Sequence, residues 1–189
     1  MSTIFKALRK SAGVTQAELA QKAGLYQANI SEIENGLIDP SFSTVERYIA
    51  RLGYQLVPVP TRTPSVISFC KEFEEAIAAK DENWAIRAVI QLNDNLNREP
   101  APIISALSLA EPAPVGDKRF DALIAGVVEY HLIKKSAEIP DWLSKPNRYL
   151  TEKWTVDKWA GKNDQLELRT PTCIKKRNIL FAESEMQSV

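Results

Sequence analysis

Residues 15–36 read Thr15-Gln-Ala-Glu-Leu-Ala-Gln-Lys-Ala-Gly24-Leu-Tyr-Gln-Ala-Asn-Ile30-Ser-Glu-Ile-Glu-Asn-Gly36. Thr15 followed three residues later by Glu18 is a capping box, in which the hydroxyl and the carboxylate satisfy amides that a helix start leaves unpaired. Gly24 comes directly after Ala23, where a positive φ lets the chain leave the helix, and helical apolar spacing resumes at Ile30 and Ile33 until Gly36 stops it. The stretch predicts helix, tight turn, helix. Leu19, Ala20, Ile30 and Ile33 can close a small core between the two helices. Gln16, Gln27, Ala28, Asn29, Ser31 and Glu32 are left outward, a short and mostly polar face that fits a DNA major groove.

On the N-terminal side, Ile4, Phe5, Leu8 and Ala12 mark an amphipathic first helix over residues 3–12, with Arg9 and Lys10 on its far side and Gly13 ending it. On the C-terminal side, Leu37 to Ser41 form a turn, and Ser43 or Thr44 can cap a fourth helix that buries Val45, Tyr48, Ile49 and Leu52. Tyr54 to Pro60 contains strand formers, but Pro58 and Pro60 cannot donate ladder hydrogen bonds. Two readings stay open for it: a proline-rich connector, or an edge strand that two copies pair to make a homodimer.

These residues resemble the helix-turn-helix of the Cro/cI (XRE-type) repressors, whose pattern T-Q-x-x-L-A-x-x-x-G…I-x-x-x-E-x-G runs from Thr15 to Gly36. The resemblance covers about residues 1 to 56 and implies a lambda-repressor-like helical domain that binds double-stranded operator DNA. It places Gln27, Ala28 and Glu32 where the family reads base edges, and Gln16 and Asn35 where it grips phosphates. The expected DNA-binding set is Gln16, Tyr26, Gln27, Ala28, Asn29, Ser31, Glu32 and Asn35. Tyr26 departs from the family's Ser or Thr at the cap of the recognition helix, and a phenol is a poor N-cap, at a cost of about 1 kcal/mol. Either its hydroxyl touches the DNA backbone or the helix starts one residue away.

The chain has 189 residues, 44% hydrophobic and 25% charged, ordinary values for a globular protein with room for two small domains. Its formal net charge is zero, which argues against a protein that coats nucleic acid non-specifically. Residues 1 to 62 hold seven basic and five acidic side chains, enough for a binder that relies on dimerisation and base contacts. No run approaches a membrane span and the N-terminus lacks a secretion signal, so a cytoplasmic protein with no membrane contact is expected. Cys70 and Cys173 have no Cys or His at metal spacing; they are expected to be free thiols, with no metal and no cofactor.

Thr61 to Pro64 reads as a linker between a domain of residues 1–60 and one of residues 65–189. In the second, Ile67, Cys70, Phe73, Ala76 and Ile77 mark one apolar face. Asp81 caps a helix over 82–98 with a stripe of Trp84, Ala88, Leu92 and Leu96, and Pro100 to Ala110 forms a further helix. Phe120, Leu123, Ile124, Val127, Val128 and Leu132 define the most apolar helix, expected at the centre of the second core. The fold class that follows is mainly α, a helix-turn-helix domain plus a C-terminal helical bundle with an irregular aromatic-rich segment. In that segment Trp142, Tyr149, Trp154 and Trp159 read as cover for the core.

The tail sets Lys175, Lys176 and Arg177 beside Ile179, Leu180 and Phe181, either a partner-binding element or a last turn tucked onto the bundle. Pro140-Asp-Trp142…Leu150…Trp154 and the segment from Thr170 to Val189 resemble the C-terminal parts of antitoxin regulators encoded beside nucleotidyltransferase-like toxins, which implies an autoregulating repressor with a cognate toxin as partner. The alternative is a repressor whose second domain senses a small molecule. No enzyme is expected: His131 has no nucleophile motif beside it, and no glycine-rich phosphate loop is present. Self-cleavage between Ala160 and Gly161 by Ser144–Lys145, or by Ser136 with Lys135, needs a rigid β scaffold that a helical domain does not supply.

Overall fold

The computed structural model describes residues 2–78, 81–156 and 163–187. The chain divides into two compact units, Met1–Pro60 with Leu109–Glu111, and Thr61–Ser108 with Pro112–Val189. The first contains α1 (Ser2–Ser11), α2 (Gln16–Ala23), α3 (Gln27–Glu34) and α4 (Phe42–Ala50). Phe5, Leu8, Leu19, Ala20, Ile30, Ile33, Val45, Tyr48, Ile49 and Leu52 form its core, one stripe from each helix. The Thr15–Glu18 capping box is present in full, and Gly24 ends α2 with φ +65, a left-handed conformation that favours glycine. Ser41, rather than Ser43 or Thr44, caps α4: its extended backbone aims the hydroxyl at the Thr44 amide one turn in. Residues 54–60 form neither strand nor helix, and Pro58 and Pro60 have no amide hydrogen to donate to a ladder.

The second unit contains α5 (Val66–Ala78), α6 (Glu82–Arg98), α7 (Ala101–Ser108), α8 (Lys118–Lys134), α9 (Asn163–Arg169) and α10 (Thr172–Lys175), with two-residue strands β1 (Trp154–Thr155) and β2 (Ile179–Leu180). Its core is built around α8, which is buried along nearly its whole length from Phe120 to Leu132. Small side chains let neighbours approach that closely. A Cβ on Gly126 would lie 3.1 Å from Ile174 Cγ1 and 3.4 Å from Arg177 Cδ, so α10 packs against α8 at this glycine. Asp81 caps α6 through the Trp84 amide at 2.8 Å. The stripe of α6 is rotated from the expected one: Ala85, Val89, Leu92, Asn93 and Leu96 are buried, and Trp84 stands half out of the surface. Its indole nevertheless lies 6.1 Å from the Phe73 ring, at the edge of the core.

Residues 61–64, read as a linker, lie in the second unit. The Glu99 carboxylate holds them, accepting from the Arg62 amide at 2.7 Å and from the Thr63 hydroxyl at 3.4 Å.

The irregular segment covers the core as expected. Trp142 is buried and donates its indole N–H to the Ser108 carbonyl at 2.9 Å, and Trp154 packs edge-on against Phe120. Trp159 and the Ala160–Gly161 dipeptide lie outside the described residues. Strands β1 and β2 pair in parallel, Trp154 opposite Ile179, which fastens the tail to the aromatic segment.

Candidate nucleic-acid interface

At 3.6 residues per turn, Ile30, Ile33 and Glu34 form the buried side of α3, and Ala28, Ser31, Glu32 and Asn35 fall on the other side, fully or half exposed; Gln27 is exposed at the boundary, two turns before Glu34 on the same row. Asn29 sits at the edge of that face. Tyr26 is 81% exposed and makes no side-chain bond to the helix start, so α3 begins uncapped with its first amides open to solvent. The Asn35 amide donates to the Ser31 hydroxyl at 3.3 Å, one turn back.

What holds α3 at its angle is a buried carboxylate, the Glu of the I-x-x-x-E-x-G pattern, to which the sequence reading gave no role. Glu34 is only 4% exposed, and its two oxygens accept four hydrogen bonds. Arg9 Nε and the Tyr48 hydroxyl donate to Oε1, both at 2.6 Å; Arg9 Nη2 and Gln16 Nε2 donate to Oε2, both at 2.9 Å. Arg9 Nη1 also donates to the Val14 carbonyl at 2.8 Å. One carboxylate thus ties α1, α2, α3 and α4 together. Burial alone would raise its pKa, but the bonds from Arg9, Tyr48 and Gln16 outweigh that and hold it below the usual carboxylate range. Tyr48 is pushed far up, by burial first and then by donating to Glu34, so it stays a neutral donor.

This corrects one expectation and adds a partner to another residue. Arg9 is on the inner side of α1, because a guanidinium that can be bidentate to a buried carboxylate is drawn inward while Lys10 stays in solvent. Gln16, expected at a phosphate, has one amide hydrogen committed to Glu34, which leaves its second N–H for a phosphate oxygen. The signal was in the sequence: Glu34 stands four residues after Ile30 on the apolar stripe, and a carboxylate there requires partners.

Residues 5–58 match the helix-turn-helix family model. The N-terminal unit is a helix-turn-helix domain. Over 109 residues, 58% of this chain and 73% of the relative, the sequence is 26% identical to the immunity repressor protein of Bacillus phage phi105. No solved structure matches. In the helix-turn-helix domain, α2 and α3 are the two helices on either side of Gly24, and the four-way bond network of Glu34 sets their mutual geometry.

The residues expected to bind a protein partner are placed differently. Arg177 is fully buried, with Nη2 at 2.5 Å from Glu129 Oε2 and 3.0 Å from the Leu143 carbonyl, and its guanidinium lies over the Tyr149 ring at 4.6 Å. Lys176 reaches the other Glu129 oxygen at 2.5 Å. Ile179, Leu180 and Phe181 are buried, and of the expected set Lys175 and Lys176 reach solvent. The tail is therefore part of the second core, because Glu129 inside α8 needs a buried cation and the apolar residues that follow it fill the space beside β1. Cys70 and Cys173 are free and buried, and burial pushes their thiols up to about 12 and about 11. Among the described residues no group of three or more His, Cys, Asp or Glu could hold a metal ion, and no helix is long and apolar enough to cross a membrane.

Proposed function

We propose that this chain is a sequence-specific DNA-binding transcriptional repressor that acts as a homodimer, with α3 entering the major groove. The observation that carries the reading is the outward face of α3, polar and short-chained, held on a helix that Glu34 locks to the other three. The family match over residues 5–58 and the similarity to a phage immunity repressor support it. Dimerisation is inferred from Leu56, Val57 and Val59, exposed apolar residues on a segment that pairs with no strand among the described residues. Half-sites should then lie about 10 to 10.5 base pairs apart. Of the two roles open to the second unit, partner-protein binding in an antitoxin or small-molecule sensing, the first rests on the resemblance of residues 140–154 and 170–189 and needs a surface other than the buried part of the tail.

The test is a binding titration of the full chain against a near-palindromic duplex recovered from a random library. Gln27→Ala should weaken specific binding by about 1 to 3 kcal/mol and relax one base position, with adenine the favoured partner of a bidentate glutamine. Equal loss on every sequence would refute this placement of α3.

A further inference from the structure

The face of α3 that would meet DNA carries no cation, since Gln27–Glu34 contains neither Lys nor Arg. It does carry an anion. Glu32 lies half exposed on that face, and its carboxylate has no hydrogen-bond or ion-pair partner among the described residues. Asn35 and Ser31, the other polar groups on its flank, are turned toward one another. Ala28 lies one turn before Glu32 in the same row, and its methyl is too short to screen the carboxylate. An unpaired carboxylate brought into a groove walled by phosphates is repelled on every sequence unless a base supplies a donor.

Resting on the repressor reading above, we propose that Glu32 is the specificity-determining residue of the interface and selects a cytosine in each half-site by accepting a hydrogen bond from its N4 amino group. The major groove offers donors from cytosine N4 and adenine N6 alone. Adenine sets its N7 acceptor beside that donor, so a carboxylate that takes N6 puts its second oxygen against a lone pair, whereas an amide matches both groups. Gln27, exposed at the start of α3, supplies such an amide. Guanine and thymine present acceptors and meet the carboxylate with repulsion. Glu32 therefore works as much by penalising wrong sites as by binding the right one, which a neutral face could not do.

The experiment is a selection from a randomised duplex library with the full-length protein and Glu32→Gln in parallel, followed by titrations on the recovered site. Because the carboxylate has no intramolecular partner, the variant should melt with the wild type. For the wild type we expect one symmetric cytosine whose replacement weakens binding roughly 5- to 150-fold. For Glu32→Gln that preference should collapse, while affinity for unrelated DNA rises, since an amide can face either donors or acceptors. A wild-type site whose every base preference survives in Glu32→Gln, or one in which the affected base is not cytosine, overturns the assignment and leaves the repressor reading standing. Failure of the folded wild type to enrich any sequence overturns the repressor reading itself.

Discussion

Acidification should unfold the second unit through one side chain, His131. It is 1% exposed on α8, and Nε2 lies 2.8 Å from Asn93 Oδ1. The Asn93 amide nitrogen donates to the Met186 carbonyl at 2.8 Å, which turns the asparagine oxygen toward the ring and makes Nε2 the protonated nitrogen of a neutral imidazole. Nδ1 has no partner. Burial above all, then the charges of Lys134 and Lys135, outweigh the pull of Asp94 and hold the imidazole down to about 4. A folded pKa below the unfolded value of about 6.5 means the unfolded chain takes up a proton first. The stabilisation is thus fully present above about pH 6.5 and is lost as pH falls toward 4; linkage gives a loss of about 2 kcal/mol between pH 7 and 5, and about 3 kcal/mol by pH 4. All four tryptophans fall between residues 84 and 159, so indole fluorescence during urea unfolding follows this unit. Surface carboxylates also titrate near pH 4, so the informative quantity is the difference in slope between the wild type and His131→Gln over pH 5–7. The variant should be less stable at pH 7, having lost its fit to Asn93, yet flatter with pH by about 2 kcal/mol. Equal slopes, or an NMR titration of His131 with a midpoint near 6.5, would refute the reasoning.

Other perturbations test the remaining packing. Tyr48→Phe removes one donor from the buried Glu34 carboxylate and should cost about 1.5 to 3 kcal/mol, seen as faster hydrogen exchange throughout α1 to α4. Arg177→Ala leaves Glu129 with only the half-exposed Lys176 and should cost about 3 to 5 kcal/mol by urea unfolding, while Arg177→Met should recover part of that by filling the space. Gly126→Val drives a branched side chain into Ile174 and should lower stability by about 1 to 3 kcal/mol in the same assay. Deleting the chain from Arg169 onward removes β2 and the buried Phe181 and Met186, so the product should be insoluble or lose cooperative unfolding; a soluble, well-folded truncation would show the tail to be dispensable to the core.

Much of this molecule is written in local sequence. The capping box at Thr15, the left-handed exit at Gly24 and the spacing of Ile30 and Ile33 act within one or two helical turns, so the helix-turn-helix could be read before any tertiary contact was known. The same holds for α8, whose apolar residues recur on too many sides for a surface helix. Tertiary structure alone decided which charges face inward. Arg9 lies 25 residues from Glu34, Arg148 lies 27 from Asp121, and Arg177 lies 48 from Glu129, and periodicity within one helix cannot pair residues across such distances. A charged side chain counts as surface in any local pattern, and only a partner brought in by the fold can make its burial tolerable. That is why Arg9 and Arg177 read as exposed cations and the tail as a free recognition element, although the folded chain uses these residues to neutralise carboxylates in its two cores.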